Sequence, residues 1–159
     1  MKVAMTMNIA IVEDNAGDRN KLVSFLKKYE EETKQSFSIS EYDNGEKLIT
    51  DLSKDYDLVF MDIMLPIENG LDVSRELRKQ NFNGEIVFVT NMCQYAIMGY
   101  EVDAMAFLVK PISYFQFVNI MNKAVKKILV TRSDDYIVVN RGGGSMPDVF
   151  LLKTSCMSK

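Results

Sequence analysis

The sequence predicts an α/β fold: a doubly wound, five-stranded parallel sheet in the order 2-1-3-4-5, with helices on both faces. Three observations lead there. Four short apolar runs, Ile9–Val12, Leu58–Met61, Ile86–Val89 and Phe107–Val109, are continuous rather than alternating, which marks strands buried on both faces of a parallel sheet. A further run, Phe37 to Tyr42, alternates apolar with polar residues, which suits a half-exposed edge strand. Between the runs lie segments of helical period, so strand and helix alternate five times.

Taken in order, the first strand Ile9–Val12 leads into a helix on which Leu22, Phe25, Leu26 and Tyr29 recur at i, i+3, i+4 and i+7. The alternating strand follows, and then Leu48, Ile49 and Leu52 behind a helix start at Asn44-Gly45. Leu58–Met61 is the third strand, with Val73 and Leu77 behind a second such start at Asn69-Gly70. After Ile86–Val89 comes a shorter helix over Ala96–Glu101, and after Phe107–Val109 the longest stripe, Tyr114, Val118, Met121, Val125 and Ile128. Right-handed crossovers with the alternating strand at an edge give the order stated, a flavodoxin-like topology. Beyond Val130 the character changes. Ser133-Asp134-Asp135 breaks the helix, Tyr136–Val139 reads as a strand, Arg141–Ser145 as a flexible turn, and Val149–Leu152 as a returning strand. That is at most a hairpin, too small to fold alone.

The 159 residues suit one domain with a short appendage, and a hydrophobic content of 47% supports a real core. A net charge of −3 argues against a chain that grips nucleic acid through its own surface. Cys93 and Cys156 make neither a disulfide framework nor a zinc cluster, and are expected to be free thiols in a reducing compartment. The start carries no cleavage-like signal and no run reaches the length of a membrane span, so a cytoplasmic protein without membrane contact is expected. Histidine is absent, which excludes a Ser-His-Asp triad, histidine metal ligands and internal histidine phosphorylation. Chemistry must therefore run on carboxylates, hydroxyls, lysine and a hard metal.

Each continuous strand ends on a polar group: the first at Glu13-Asp14, the third at Asp62, the fourth at Thr90 and the fifth at Lys110-Pro111. The carboxyl ends of parallel strands share one edge, where ligands bind. Three carboxylates, a hydroxyl and an ammonium should converge there. Packed anions repel and call for a cation; Mg²⁺ suits oxygen ligands, lysine suits a phosphate, and a carboxylate can accept a phosphoryl group. The set reads as metal-assisted phosphoryl transfer onto an aspartate. Taken singly, each residue has a plainer reading: Asp14 or Asn15 as a helix N-cap, Asp62 as the cap of a turn, Thr90 as a strand-end residue, Lys110 as a solvated cation.

The ordered stretches "IVEDN", "MDIMLP", "VFVTN" and "AFLVKP" resemble the signature set of the receiver (CheY-like) domain of bacterial two-component response regulators. The resemblance covers residues 7–128, leaving 129–159 as a linker and the start of a truncated output domain, a short hairpin or disordered. It implies that Asp62 is phosphorylated by a sensor histidine kinase. It implies further that Asp14 and Asp62 bind Mg²⁺ with the backbone carbonyl of Met64, and that Glu13 acts mainly through water. Thr90 and Lys110 are implied to contact the phosphoryl group, the Lys110–Pro111 bond to be cis, and Phe107 to be the aromatic switch beside Thr90. Such a domain is a signalling phosphoacceptor that catalyses only its own phosphorylation and dephosphorylation, and it binds no organic cofactor. The stretch "QYAIMGYEVDAMAFLVKPI" further resembles LytTR-type receivers, whose output is a β-rich DNA-binding domain. DNA would be met only through that output domain, mostly absent from this chain, and self-association through the face of the fourth helix, fifth strand and fifth helix. Asn91 departs from the family, which usually has a smaller residue there. Met7 looks like a more usual receiver start than Met1.

Three alternatives share part of this pattern. A stand-alone receiver would act through protein contacts only. A haloacid-dehalogenase-like phosphatase wants a second Asp two residues after the first, where this chain has Met64. A flavodoxin-like flavin carrier wants a Ser/Thr/Gly-rich first loop, whereas this one is the acidic "EDNAGD".

Overall fold

The computed structural model describes residues 6–133, 136–140 and 147–151. Strand β1 (Thr6–Val12) pairs in parallel with β2 (Ser36–Tyr42) on one side and β3 (Leu58–Met61) on the other. Strands β4 (Glu85–Thr90) and β5 (Ala106–Val109) extend the sheet beyond β3, giving the all-parallel order β2-β1-β3-β4-β5. Strands β1 and β3 are buried as their composition demands, with Ile9 to Val12 and Leu58 to Met61 at most 1% exposed; β5 is not, because it forms the other edge of the sheet, and Phe107 is half-buried and Val109 exposed. Strand β2, with its alternating residues, is half-exposed at the edge.

Side chains alternate across the sheet and so divide between two layers. On one face Ala10, Val12, Val59, Met61, Ile86 and Phe88 form a core with Leu48 of α2 (Gly45–Thr50) and with Leu71, Val73 and Leu77 of α3 (Gly70–Lys79). On the other face the Phe117 ring, from α4 (Tyr114–Ser133), stacks on Phe60 at 5.9 Å between centroids and meets Phe25 of α1 (Ala16–Thr33) at 5.3 Å. The helices behind Asn44 and Asn69 start where sequence expects, and Asn15 opens α1; each of the three accepts a backbone N–H of the following turn.

Two helical elements also differ from expectation. The segment expected as a short helix over Ala96–Glu101 is a 3₁₀ helix spanning Cys93–Val102. Its buried residues are Gly99 and Val102, three apart, which matches three residues per turn; Ile97 and Tyr100 face solvent, so no apolar stripe of period 3.6 holds it as an α-helix. The buried stripe of α4 is Phe117, Met121, Ala124, Val125 and Ile128, while Tyr114 and Val118 are only half-buried. The largest ring of that helix therefore takes the central position.

The chain divides into two compact units, Met1–Met121 and Asn122–Lys159. The first holds the five-stranded sheet. In the second, β6 (Tyr136–Asn140) and β7 (Pro147–Leu151) form an antiparallel pair, Tyr136 opposite Leu151 and Asn140 opposite Pro147. The turn expected over Arg141–Ser145, the helix break at Asp134-Asp135, Leu152, Cys156 and the first five residues lie outside the described residues.

Candidate functional site

Strand register brings the candidate residues to one edge. Val12 lies opposite Met61 and Thr90 opposite Val109, so Glu13 and Asp62 leave the sheet side by side, and Lys110 leaves it one residue beyond the partner of Thr90. The backbone ties them: the Asp62 N–H donates to Val12 O at 3.0 Å and the Lys110 N–H to Thr90 O at 2.8 Å. Among the described residues the buried polar or charged ones are Glu13, Asp62, Ser74 and Thr90. Three of those four meet at this edge, where burial of polar groups costs free energy unless they are paired.

Lys110 supplies the pairing. Its ammonium donates to Glu13 Oε1 at 2.7 Å, to Asp18 Oδ2 at 2.8 Å and to Asp62 Oδ2 at 3.2 Å, which uses its three N–H groups. Burial by itself depresses the Lys110 ammonium, but the hydrogen bonds to Asp18 and Glu13 and the charge of Asp62 outweigh it and hold the group above the ordinary lysine range. Glu13 is also pushed up from the usual carboxylate range, to about 7: burial and the nearby Asp62 charge outweigh Lys110 and the Asn15 N–H, which donates to Glu13 Oε2 at 3.1 Å.

Asp62 Oδ1 accepts from the Met64 N–H at 3.1 Å. The loop beyond it closes through a bridge between Met64 and Asn69. Thr90 Oγ1 accepts from the Met92 N–H at 3.3 Å. Phe107 is half-buried, its ring 6.2 Å from that of Phe88, and it lines a cavity of about 230 Å³ with Ala96, Gly99, Tyr100 and Ala104. The Lys110–Pro111 bond is cis.

Asp14 is exposed, and Asn15 next to it is the residue that caps α1, accepting from the Asp18 N–H at 2.9 Å. Of the two candidates for the cap, Asn15 thus takes the role and leaves the Asp14 carboxylate free of it. One oxygen each from Glu13, Asp14 and Asp62 lies within 4.8 Å of the other two. An octahedral Mg²⁺ holds its ligands at about 2.0–2.1 Å, so that opposing oxygens stand about 4.2 Å apart. Three carboxylates at this spacing, with one ammonium among them, fit such an ion in both size and charge.

Asp18 is the site residue that sequence reasoning missed. It stands in the first turn of α1, three residues after the cap, and that position, on a helix opening at the carboxyl edge of the sheet, is the signal that marks it.

Comparison with known proteins identifies the family and the fold. The family model of the response regulator receiver domain matches residues 9–139. The chain is 35% identical over 106 residues to the sensory transduction protein LytT of Bacillus subtilis (strain 168), covering 66% of this chain and 42% of that protein. It is 31% identical over 133 residues to the sensory transduction protein LytR of Staphylococcus haemolyticus, covering 82% and 50%. It thus spans half or less of the length of these relatives. Among solved structures, the response regulatory domain of mrkE from Klebsiella pneumoniae shares the fold, with a TM-score of 0.70 at 21% identity over 78% of this chain and 99% of that one. The response regulator TrrA of Thermotoga maritima, solved with Mg²⁺-BeF, gives a TM-score of 0.62 at 27% identity over 77% and 98%. With a family match over most of its length and the acidic edge at the carboxyl ends of its strands, the chain belongs to the response regulator receiver domain family.

Proposed function

We propose that this receiver takes a phosphoryl group on Asp62 from the phosphohistidine of a sensor histidine kinase and passes the signal to an output domain that regulates transcription. In the transfer an Asp62 carboxylate oxygen forms a bond to phosphorus while the bond from phosphorus to the kinase imidazole breaks, its electron pair staying on nitrogen. Asp14, Asp62 and the Met64 carbonyl would hold Mg²⁺, with Glu13 acting through water; when bound, the ion supplies positive charge against the phosphoryl oxygens. Lys110 donates to one phosphoryl oxygen and Thr90 to another, and Phe107 follows the threonine.

The observation that carries this reading is the Lys110 ammonium bridging the buried carboxylates of Glu13 and Asp62. A fixed cation beside a buried nucleophile is the arrangement a transferring phosphate needs. The transcriptional output rests on relatives such as the transcriptional regulatory protein LytR of Staphylococcus aureus (strain N315), of which the chain covers 50%. Contact with DNA is assigned to that further domain, and the cytoplasm is the expected compartment; no helix among the described residues is long and apolar enough to cross a membrane.

The test is labelling by a small acyl phosphate. With Mg²⁺ the wild type should gain one phosphoryl mass, located on Asp62, while Asp62→Ala should gain none and a chelator should suppress the gain. Equal labelling of Asp62→Ala would overturn the reading.

A further inference from the structure

The third partner of Lys110 lies outside the set that the receiver signature marks. Asp18 Oδ2 is 2.8 Å from the Lys110 ammonium, a closer approach than the 3.2 Å to Asp62. Yet its side chain is 42% exposed, against 2% and 6% for those of Glu13 and Asp62. Both Asp18 and Lys110 line a cavity of about 220 Å³ with Asn91 and Pro111. The contact therefore faces open space at the rim of the site rather than packed protein.

Because Lys110 has three N–H groups and all three are taken, a phosphoryl oxygen can be served only if one carboxylate lets go. Asp18 is the partner that loses least on release, since water can solvate it where it stands. Until then it holds the ammonium toward α1. It also adds a fourth negative charge, beside Glu13, Asp14 and Asp62, on the approach of an anionic donor.

We propose that Asp18 is a positioning residue that restrains Lys110 at rest and sets how strongly the site attracts its phosphoryl donor. This rests on Asp62 as the acceptor. In the step concerned an Asp62 oxygen bonds to phosphorus, the bond between phosphorus and the leaving oxygen of the acyl phosphate breaks, and the electron pair departs with the carboxylate. Asp18 takes no part in the bonds; it governs the charge the donor meets and the freedom of the lysine that receives it.

The experiment uses the full chain with Mg²⁺ and acetyl phosphate, following phosphoryl mass and its position at several donor concentrations. Asp18→Asn keeps the shape of a half-exposed side chain and removes its charge. It should lower the half-saturating donor concentration about three- to tenfold, with a smaller change in the maximal rate. Asp18→Glu, which restores the charge, should return most of that shift. Raising salt should shrink the difference between Asp18→Asn and wild type, because charges at a solvated rim are screened. If Asp62 is labelled and Asp18→Asn shows an unchanged or higher half-saturating concentration, the assignment is overturned. A salt-independent difference overturns it as well. Label at a residue other than Asp62 overturns the acceptor reading, and this assignment with it.

Discussion

Gly70 stands directly against the carbonyl group of Asp62. A Cβ at Gly70 would overlap that oxygen and come within 2.9 Å of both Asp62 C and Ile63 Cα. The Gly70 N–H also donates to Ile63 O at 2.8 Å. The loop that follows Asp62 is thus folded back onto the first residue of α3, and only a residue without a side chain permits the approach. Gly70→Ala should therefore displace the loop, lowering stability by about 1–3 kcal/mol in urea unfolding. A shift on the order of 1 Å at a reacting group costs up to about 10²-fold in rate, so labelling of Asp62 should slow by about ten- to hundredfold. An unchanged rate would show that the loop accommodates the methyl group without moving Asp62.

Removing the shared cation should expose the charge imbalance. In Lys110→Met the carboxylates of Glu13 and Asp62 remain buried with no ammonium beside them. Losing one partner of a buried pair costs about 3–5 kcal/mol. The lower end is expected, because Glu13, pushed up to about 7, takes a proton instead. In a chelator the variant should lose about that much stability, and Mg²⁺ should restore more of it than it adds to the wild type. Unfolding curves with and without the ion decide the point; equal gains from Mg²⁺ in both proteins would refute it.

The Thr90 hydroxyl, held at rest by the Met92 N–H, is free to turn as a donor toward a phosphoryl oxygen. Its movement should leave room for Phe107, which already borders a cavity, to turn inward. The equilibrium should pre-exist phosphorylation and be biased by it. The surface beside it is apolar: Ile97 and Tyr100 on the 3₁₀ helix, Val109 on β5 and Phe115 on α4 are exposed. A phosphoryl mimic should raise the scattering mass toward that of a dimer, and Tyr100→Glu should keep it at the monomer. The same mass with and without the mimic would count against this face as an interface.

The parallel sheet was legible because burial on both faces leaves an unbroken apolar run, a signal that needs no tertiary knowledge. The edge residues were legible because each ends such a run. Asp18 was not, for its meaning depends on how α1 is turned toward Lys110, 92 residues further on. Nor was the choice between Asp14 and Asn15 as the cap, which a one-residue shift of the helix start decides. The 3₁₀ geometry of Cys93–Val102 escaped because its apolar residues, Ile97 and Tyr100 among them, point to solvent; hydrophobic residues need not be inside. In α4 the stripe was placed one position off Phe117, since Tyr114 and Phe117 both fit a helical period and only packing against Phe60 separates them.

The lifetime of the phosphorylated state should be long. Hydrolysis of an acyl phosphate needs a water aligned opposite the aspartate oxygen, and a polar side chain near the pocket can orient it. The positions two residues after Asp62 and two after Thr90 are Met64 and Met92. Both backbone N–H groups are already spent on the site, donating to Asp62 Oδ1 and Thr90 Oγ1, so only the side chains remain to hold such a water. A thioether is a weak acceptor and no donor. Met64 is 51% exposed, at the mouth of the loop rather than in the core, so a polar residue there costs no buried contact. Asn91, exposed beside Thr90, adds bulk at the same rim. Replacing Met64 with Asn and Met92 with Glu should speed loss of phosphate by about tenfold, equivalent to about 1.4 kcal/mol of barrier. Phosphoryl mass followed over time after removal of the donor checks this. Wild-type decay within seconds, or an unchanged rate in the double variant, would mean that the two methionines only cover the rim and that another group controls the water.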